Sequence, residues 1–211
     1  VSVGTDLWAS AISLTWDQTT YSLAVWQEYT VTVNGLIIAR ITSPSQTSFV
    51  YHTPASGIEQ SFEVTQSILT GTDILTSDPV TGAATVALGG VVLVSVESPS
   101  TLRTSLRYTN ERTYDRTIAE AVYVPVNGER PTTVRDRAYY RSVSLDAQLF
   151  ADRTATSATR RTEVEAIDRD GGTYCYRDNH GRKMFVTIPK VSITDHVPDW
   201  YVVSLELRQE E

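Results

Sequence analysis

Residues 173–188, TYCYRDNHGRKMFVTI, constrain the fold of this chain more than any other stretch. Tyr174 and Tyr176 alternate with Cys175 and Arg177, and Met184, Val186 and Ile188 alternate with Phe185 and Thr187. Between the two runs lies Asp178-Asn179-His180-Gly181. Successive side chains of a strand point to opposite faces, so two alternating runs around turn-forming residues specify a β-hairpin. Gly181 takes a positive φ without a Cβ clash, and Asn179 tolerates it next best, which sets the bend. The hairpin brings no nucleophile, ligand set or phosphate loop, so its content is architectural.

The first half carries the same kind of signal. ISLTW (residues 12–16) and YTVTV (29–33) alternate, and the second runs through Asn34-Gly35 into LIIARI, the strongest short-range hairpin pattern. Further strands are expected at 48–52, 61–69 and 85–96, each bounded by Pro, Gly, Ser or Asp. No long stretch has helical periodicity. Roughly seven short strands in about 100 residues make an all-β sandwich.

In the second half, strands are expected at 102–108, 118–126, 132–134 and 140–150, and in the last Val143, Leu145, Ala147 and Leu149 alternate with polar residues. Between Asp152 and Asp170 the period changes: Ala155, Ala158 and Ala166 with Val164 and Ile167 form one weak helical face. Thr154 or Asp152 is placed to cap its start and Gly171-Gly172 to close its end. A strand at 191–195 and a closing strand WYVVSLEL (200–207) follow. Strands, one helix at about 155–169, a hairpin and a closing strand pack naturally as a small split β-barrel with a helix across it. The fold class is mainly β. Glu97-Ser98-Pro99-Ser100 reads as the linker, giving domains 1–97 and 98–211.

Charge agrees with two domains. Residues 1–97 hold one basic residue, Arg40, against eight acidic ones, a net of minus seven, whereas residues 98–211 balance seventeen against seventeen. The overall charge of −7 lacks the basic footprint of a nucleic-acid binder, and no specific nucleic acid binding is expected. No apolar run is long enough for a membrane helix. The start VSVGTDLWAS has neither a basic n-region nor a continuous apolar core, and reads as a non-standard start or as a piece of a longer chain. The lone Cys175 leaves no internal disulfide to form.

Catalytic patterns do not assemble. His52, His180 and His196 are far apart and lack the ligand spacing of a zinc site. Asp168 and Asp170 lack the alternating ligand run of an EF-hand and read as residues of a helix terminus. There is no Gly-x-Ser-x-Gly elbow, and Gly89-Gly90 lacks the Lys and helix of a phosphate loop. The two carboxylates of a glycosidase are paired in space, so the sequence leaves that chemistry open. The expectation is a protein that is not an enzyme and carries no cofactor and no metal. Trp8, Trp16 and Trp26 admit two readings: core and sheet-end packing, or a platform for sugar rings.

The order LTWD, EYTVTVNGLIIARI, TSFVYHTP, GIEQSFEVTQSI resembles a fibronectin type III or related immunoglobulin-like module over about residues 9–96. That resemblance implies Trp16 as a core tryptophan, with Tyr29 and Phe62 packing across the sheets; residues 70–84 depart from the usual compact loop. The order YRSVSLDAQLF, helix, YCYRDNHGRKMFVTI, WYVVSLELRQEE over about residues 102–211 resembles the small barrel domain of minor and distal tail proteins of long-tailed bacteriophages. Its most telling residues are Tyr176-Arg177-Asp178, Gly181-Arg182-Lys183-Met184-Phe185 and Val203-Ser204-Leu205-Glu206-Leu207.

The second resemblance implies a structural virion protein at the tail tip, assembled in the host cytoplasm, in a homo-oligomeric ring of three or six copies beside tail-tube and hub proteins. The residues expected to hold the barrel are Tyr176, Gly181, Phe185, Trp200, Val202 and Leu205. Arg107, Arg112, Arg116, Arg135, Arg137 and Arg141, with their acidic neighbours, are expected to suit contacts between copies. The rival reading is a cell-surface or carbohydrate-binding module of a phage or bacterial adhesin, carried by the acidic first half.

Overall fold

The computed structural model describes residues 2–5, 10–17, 25–123, 132–149, 151, 155–197 and 200–209, without the side chains of 108, 110, 111, 116–123, 132–140, 196, 197 and 200. The chain divides into two compact units, Val1–Leu88 with Asp178–Arg182, and Gly89–Arg177 with Lys183–Glu211. It is mainly β throughout.

In the first unit β1 (Ser2–Thr5), β2 (Ile12–Thr15) and β5 (Ser48–Tyr51) form a three-stranded sheet in the order β1-β2-β5. A second sheet runs β4 (Leu36–Ile41), β3 (Trp26–Val33), β6 (Glu59–Thr70) and β7 (Asp73–Thr76), and β8 (Val80–Thr85) also pairs with β6. All these pairs are antiparallel. At twelve residues, β6 is long enough to carry β7 at one end and β8 at the other, so the departing segment 70–84 is a hairpin that returns twice to the same strand.

Alternation explains the core. Tyr29, Val31 and Val33 of β3 and Phe62 and Val64 of β6 point inward and meet Ile12 and Leu14 of the other sheet. Each such side chain contributes about 1.5–3 kcal/mol on burial. Tyr51 and Phe62 pack edge-on across the sheets, with centroids 5.8 Å apart. The Asn34-Gly35 turn has φ of 49° and 80°, the double positive φ of a type I′ turn. Its Asn34 side chain accepts from Ser61 N at 2.9 Å, tying the turn to β6.

The second unit is one sheet with one helix. Its strands are β9 (Val91–Ser95), β10 (Arg103–Leu106), β11 (Tyr108–Tyr123), β12 (Thr132–Leu149), β13 (Tyr174–Arg177), β14 (Lys183–Val197) and β15 (Trp200–Gln209). They lie in the order β10-β9-β13-β14-β15-β12-β11, all antiparallel. The expected 85–96 strand is therefore two elements. The first unit's main segment ends at Leu88, the Gly89-Gly90 bend opens the second unit, and β9 pairs with β10 and β13. Residues 97–100, expected as a linker, lie in the β9–β10 turn, where Ser98 O accepts from Thr101 N and Leu102 N. Gly90 is required by packing, since a Cβ there would lie 2.4 Å from Leu106 O.

The barrel expectation needs correction. No hydrogen bonds join the end strands β10 and β11 among the described residues, so the sheet is open. It is nonetheless strongly curled. Arg107 alone separates β10 from β11 in sequence, although they lie at opposite ends of the strand order. Tyr176 on β13 and Tyr114 on β11 share a hydrogen bond of 2.8 Å between hydroxyls, although four strand spacings separate them. In a flat sheet that separation would be roughly 19 Å. The ends are brought together by the backbone at Arg107 and by the core, without a closing ladder.

Helix α1 (Ser157–Asp170) packs into this curl through Val164 and Ile167. Its cap is Thr156, whose Oγ1 accepts from Thr159 N at 3.1 Å; it lies two residues beyond the expected Thr154, which, with Asp152, is outside the described residues. Gly171 closes the helix at φ 63°. The buried face is Ser157, Arg160, Val164 and Ile167; the alanine face was misassigned, since Ala158 is exposed and Ala155 and Ala166 only half-buried. Arg160 is tolerated there because its guanidinium donates to Glu163 at 2.7 Å, and the same carboxylate oxygen accepts from Thr104 at 3.0 Å.

Candidate functional site

Two places can do something besides fold: a β-ribbon in the second unit and an aromatic pocket in the first.

The ribbon is β11 with β12. Their pairing runs from Tyr108↔Gln148 to Tyr123↔Thr132, with bulges near Asn110 and Ala119. β12 pairs with β15 only from Ser142 to Leu149. Among the described residues, positions 132–141 have β11 as their sole strand partner. Ten residues at about 3.4 Å each make an arm of roughly 34 Å. Arg135, Arg137 and Arg141 all lie on it; Arg141 is exposed and sits opposite Arg116 in the register, and Arg135 sits opposite Glu120. The side chains of Arg116, Arg135 and Arg137 lie outside the described residues. Arg107 is exposed, and Arg112 donates to Thr109 Oγ1 at 2.9 and 2.7 Å within its own strand. The turn expected at Pro125 and Asn127-Gly128 also falls outside the description.

The barrel-holding residues divide. Tyr176 is fully buried and Leu205 is 2% exposed. Val202 is half-buried, and Trp200 opens β15 with its side chain outside the description. Phe185 is misplaced as a core residue. It is 45% exposed, because the registers Tyr174↔Val186 and Cys175↔Phe185 put Val186 on the face of the two core tyrosines and Phe185 on the other. Lys183 Nζ lies 5.8 Å from its ring centroid. Gly181 has φ 81°, and a Cβ there would stand 3.1 Å from Ser56 O. The carboxylate of buried Asp178 accepts from His180 N at 2.9 Å and Arg182 N at 3.0 Å, which closes the loop.

Electrostatics in the second unit serve structure. Burial pushes the Tyr174 hydroxyl well above the usual tyrosine range, and its 2.6 Å hydrogen bond to Asp170 adds to this. Asp170 also accepts from Gly172 N, so it works at the helix end as expected. Burial likewise raises the Cys175 thiol, with Arg177 and Lys183 opposing. Arg161 is held protonated chiefly by its hydrogen bond to Glu165; it also reaches Asp195 at 3.0 Å and lies over the Tyr201 ring at 5.1 Å, pinning α1 to the sheet. The outer face carries a polar groove with Thr113, Ser144, Asp146, Ser192 and Ser204, crossed by a Lys190–Glu206 pair at 3.4 Å.

The pocket, about 370 Å³, opens in the first unit beside Trp16, Asp17, Tyr29, Thr65, Gln66 and Ser77. Trp16 is half-buried at the rim of the core rather than inside it. Its ring meets Tyr29 edge-on at 5.3 Å, and Trp26 meets Tyr29 from 4.4 Å, with Trp26 Nε1 donating to Thr42 O. Tyr29 is thus held by two indoles. Trp8 lies outside the described residues.

Among the described residues no group of His, Cys, Asp and Glu could hold a metal ion, and no helix is long and apolar enough to cross a membrane. No family model matches the sequence, and no curated protein matches it. Among solved structures, the chain is similar to one described as "Tail of empty GTA particle computed with helical refinement, C6 symmetry", with TM-score 0.38 and 8% identity over 58% of this chain and 92% of that one.

Proposed function

We propose that the protein is a structural component of a bacteriophage tail tip, in which the second unit builds a ring of three or six copies around the tail channel. The observation that carries this reading is the ribbon, where, among the described residues, 132–141 of β12 pair with β11 alone. An isolated two-stranded ribbon is marginally stable in water, and its open edges are templates for another strand. A ring satisfies both, because each copy covers its neighbour's edge and closure leaves none free. Arg135, Arg137 and Arg141 lie where such contacts would be made, and an arginine fork matches carboxylates bidentately. The four-residue strand β10 at the other end of the sheet offers the second edge.

On this reading the work is assembly and no bond is made or broken. The first unit is a fibronectin type III-like sandwich, favoured by its two antiparallel sheets of three and five strands, with β7 and β8 both pairing with β6. The location is the virion, with tail-tube and hub proteins as neighbours. Mixed polar residues on the outer sheet face suit a wall that DNA passes without sticking.

The test is negative-stain microscopy with light scattering on the purified chain, beside a variant in which residues 116–141 are replaced by a short turn. Rings of three or six from the full chain and monomers from the shortened one are expected. A full chain that stays monomeric at high concentration and joins no tail particle overturns the proposal.

A further inference from the structure

We propose that the pocket between Trp16, Asp17, Tyr29 and Gln66 binds an uncharged saccharide. Three observations meet there. Tyr29 is 2% exposed and lines the pocket, yet its hydroxyl has no hydrogen-bond partner among the described residues. Trp16 Nε1 in the same wall is shielded from solvent and has none either. Trp26, one ring away, has its indole N–H satisfied by Thr42 O, so of the three stacked aromatic donors Trp16, Tyr29 and Trp26, the two that line the cavity are the ones without a partner among the described residues. Buried polar groups are nearly always paired, and two such exceptions in one cavity wall point to an occupant that supplies the partner.

The chemistry of the wall selects the occupant. Ligand sites combine an apolar surface with a few converging polar groups, and the cavity lies at the small end of their usual size. A half-buried indole offers a flat face for the C–H side of a sugar ring. Its N–H and the tyrosine hydroxyl are donors for ring or glycosidic oxygens. Asp17 is an exposed acceptor for hydroxyl pairs, and Thr65, Gln66 and Ser77 complete the polar side. Among the described residues no Lys or Arg lines the cavity, and Arg40 is the sole basic residue of 1–88 against seven acidic ones, which disfavours phosphorylated or carboxylated glycans. The proposal holds whether or not the second unit forms a ring.

The test follows indole N–H resonances of the full chain during titration with glucose, galactose, mannose and N-acetylglucosamine and their short oligomers. Trp16→Phe identifies the Trp16 signal. A saturable shift of that signal with at least one of these sugars is expected. Tyr29→Phe, which keeps the ring between the two indoles, should weaken that affinity about tenfold, the equivalent of one hydrogen bond. The inference is overturned if no sugar moves the Trp16 signal. It is equally overturned if inorganic phosphate or sialic acid moves it in their place, or if Tyr29→Phe and Trp16→Phe bind as tightly as the parent.

Discussion

The two units differ in how their buried hydroxyls are paired. In the second, hydroxyls that enter the core meet partners: Tyr176 meets Tyr114, Tyr174 meets Asp170, and Thr104 shares Glu163 with Arg160. In the first, Trp16 Nε1, Tyr29 Oη and Thr32 Oγ1 are shielded from water without a partner among the described residues. A completed network fixes one arrangement of side chains, which suits a shell that must present the same rims in every copy. Donors left open at a cavity store a cost that a ligand relieves, which suits a site.

The largest effects should come from the cores themselves, and they set the scale for the comparison. Phe62→Ala in the first unit should cost about 3–5 kcal/mol and Leu205→Ala in the second about 2–5 kcal/mol, read from urea denaturation. Phe185→Ala should cost under about 1 kcal/mol, because nearly half of that ring already meets water. A loss at Phe185 equal to that at Leu205 would mean that the outer face of β14 is covered.

Next in size are the paired hydroxyls. Tyr176→Phe removes the 2.8 Å hydrogen bond between the Tyr176 and Tyr114 hydroxyls and should cost about 1–3 kcal/mol. A neutral result would dissolve the contrast between the units, since it would mean that the interior hydrogen bond adds nothing.

The pH dependence at Tyr174 is smaller and confined to alkaline solution. Its hydroxyl ionises at higher pH in the folded protein than in the unfolded chain, so above the ordinary tyrosine value of about 10 the unfolded state gives up the proton first. Stability from this group is complete below that pH and falls as pH rises through the raised value. Tyr174→Phe should flatten the alkaline limb of a stability–pH curve relative to the parent; an unchanged limb would show that burial and Asp170 together do not raise this hydroxyl in the folded protein.

Much of this architecture was legible, and the failures have physical causes. Alternation with turn chemistry marked β3, β6, β13 and β14, because each has buried side chains beside residues that bend readily; β4 was marked by the Asn34-Gly35 turn alone, since its Leu36 and Ile37 are exposed. The ribbon was read as three short strands. Its segment RDRAYYR has no apolar period, and charge hid its length. Phe185 was misread because β13 is buried on both faces, so apolarity on its partner strand did not reveal which side held the core. The split of 85–96 into two units was invisible, as a Gly pair inside an apolar run reads equally as a weak strand. At the pocket, Trp16 was visible and Tyr29 was assigned to the core, but the missing partners of their donors are a property of three-dimensional placement alone.

The smallest expected effect is the most discriminating. Tyr29→Phe removes a buried hydroxyl that has no partner, while the ring keeps its place between Trp16 and Trp26 at 5.3 and 4.4 Å. Removing an unsatisfied polar group abolishes its desolvation cost and breaks no bond, so unfolding free energy without sugar should stay level or rise by up to about 1 kcal/mol. Tyr176→Phe, the same chemical change in the other unit, must go the opposite way. If both substitutions destabilise alike, Tyr29 has a bonded partner in the folded protein and the pocket loses its open donor. If Tyr29→Phe is neutral and Tyr176→Phe is not, one atom deleted from each unit has separated a hydroxyl that is open to a ligand from one that is already bonded.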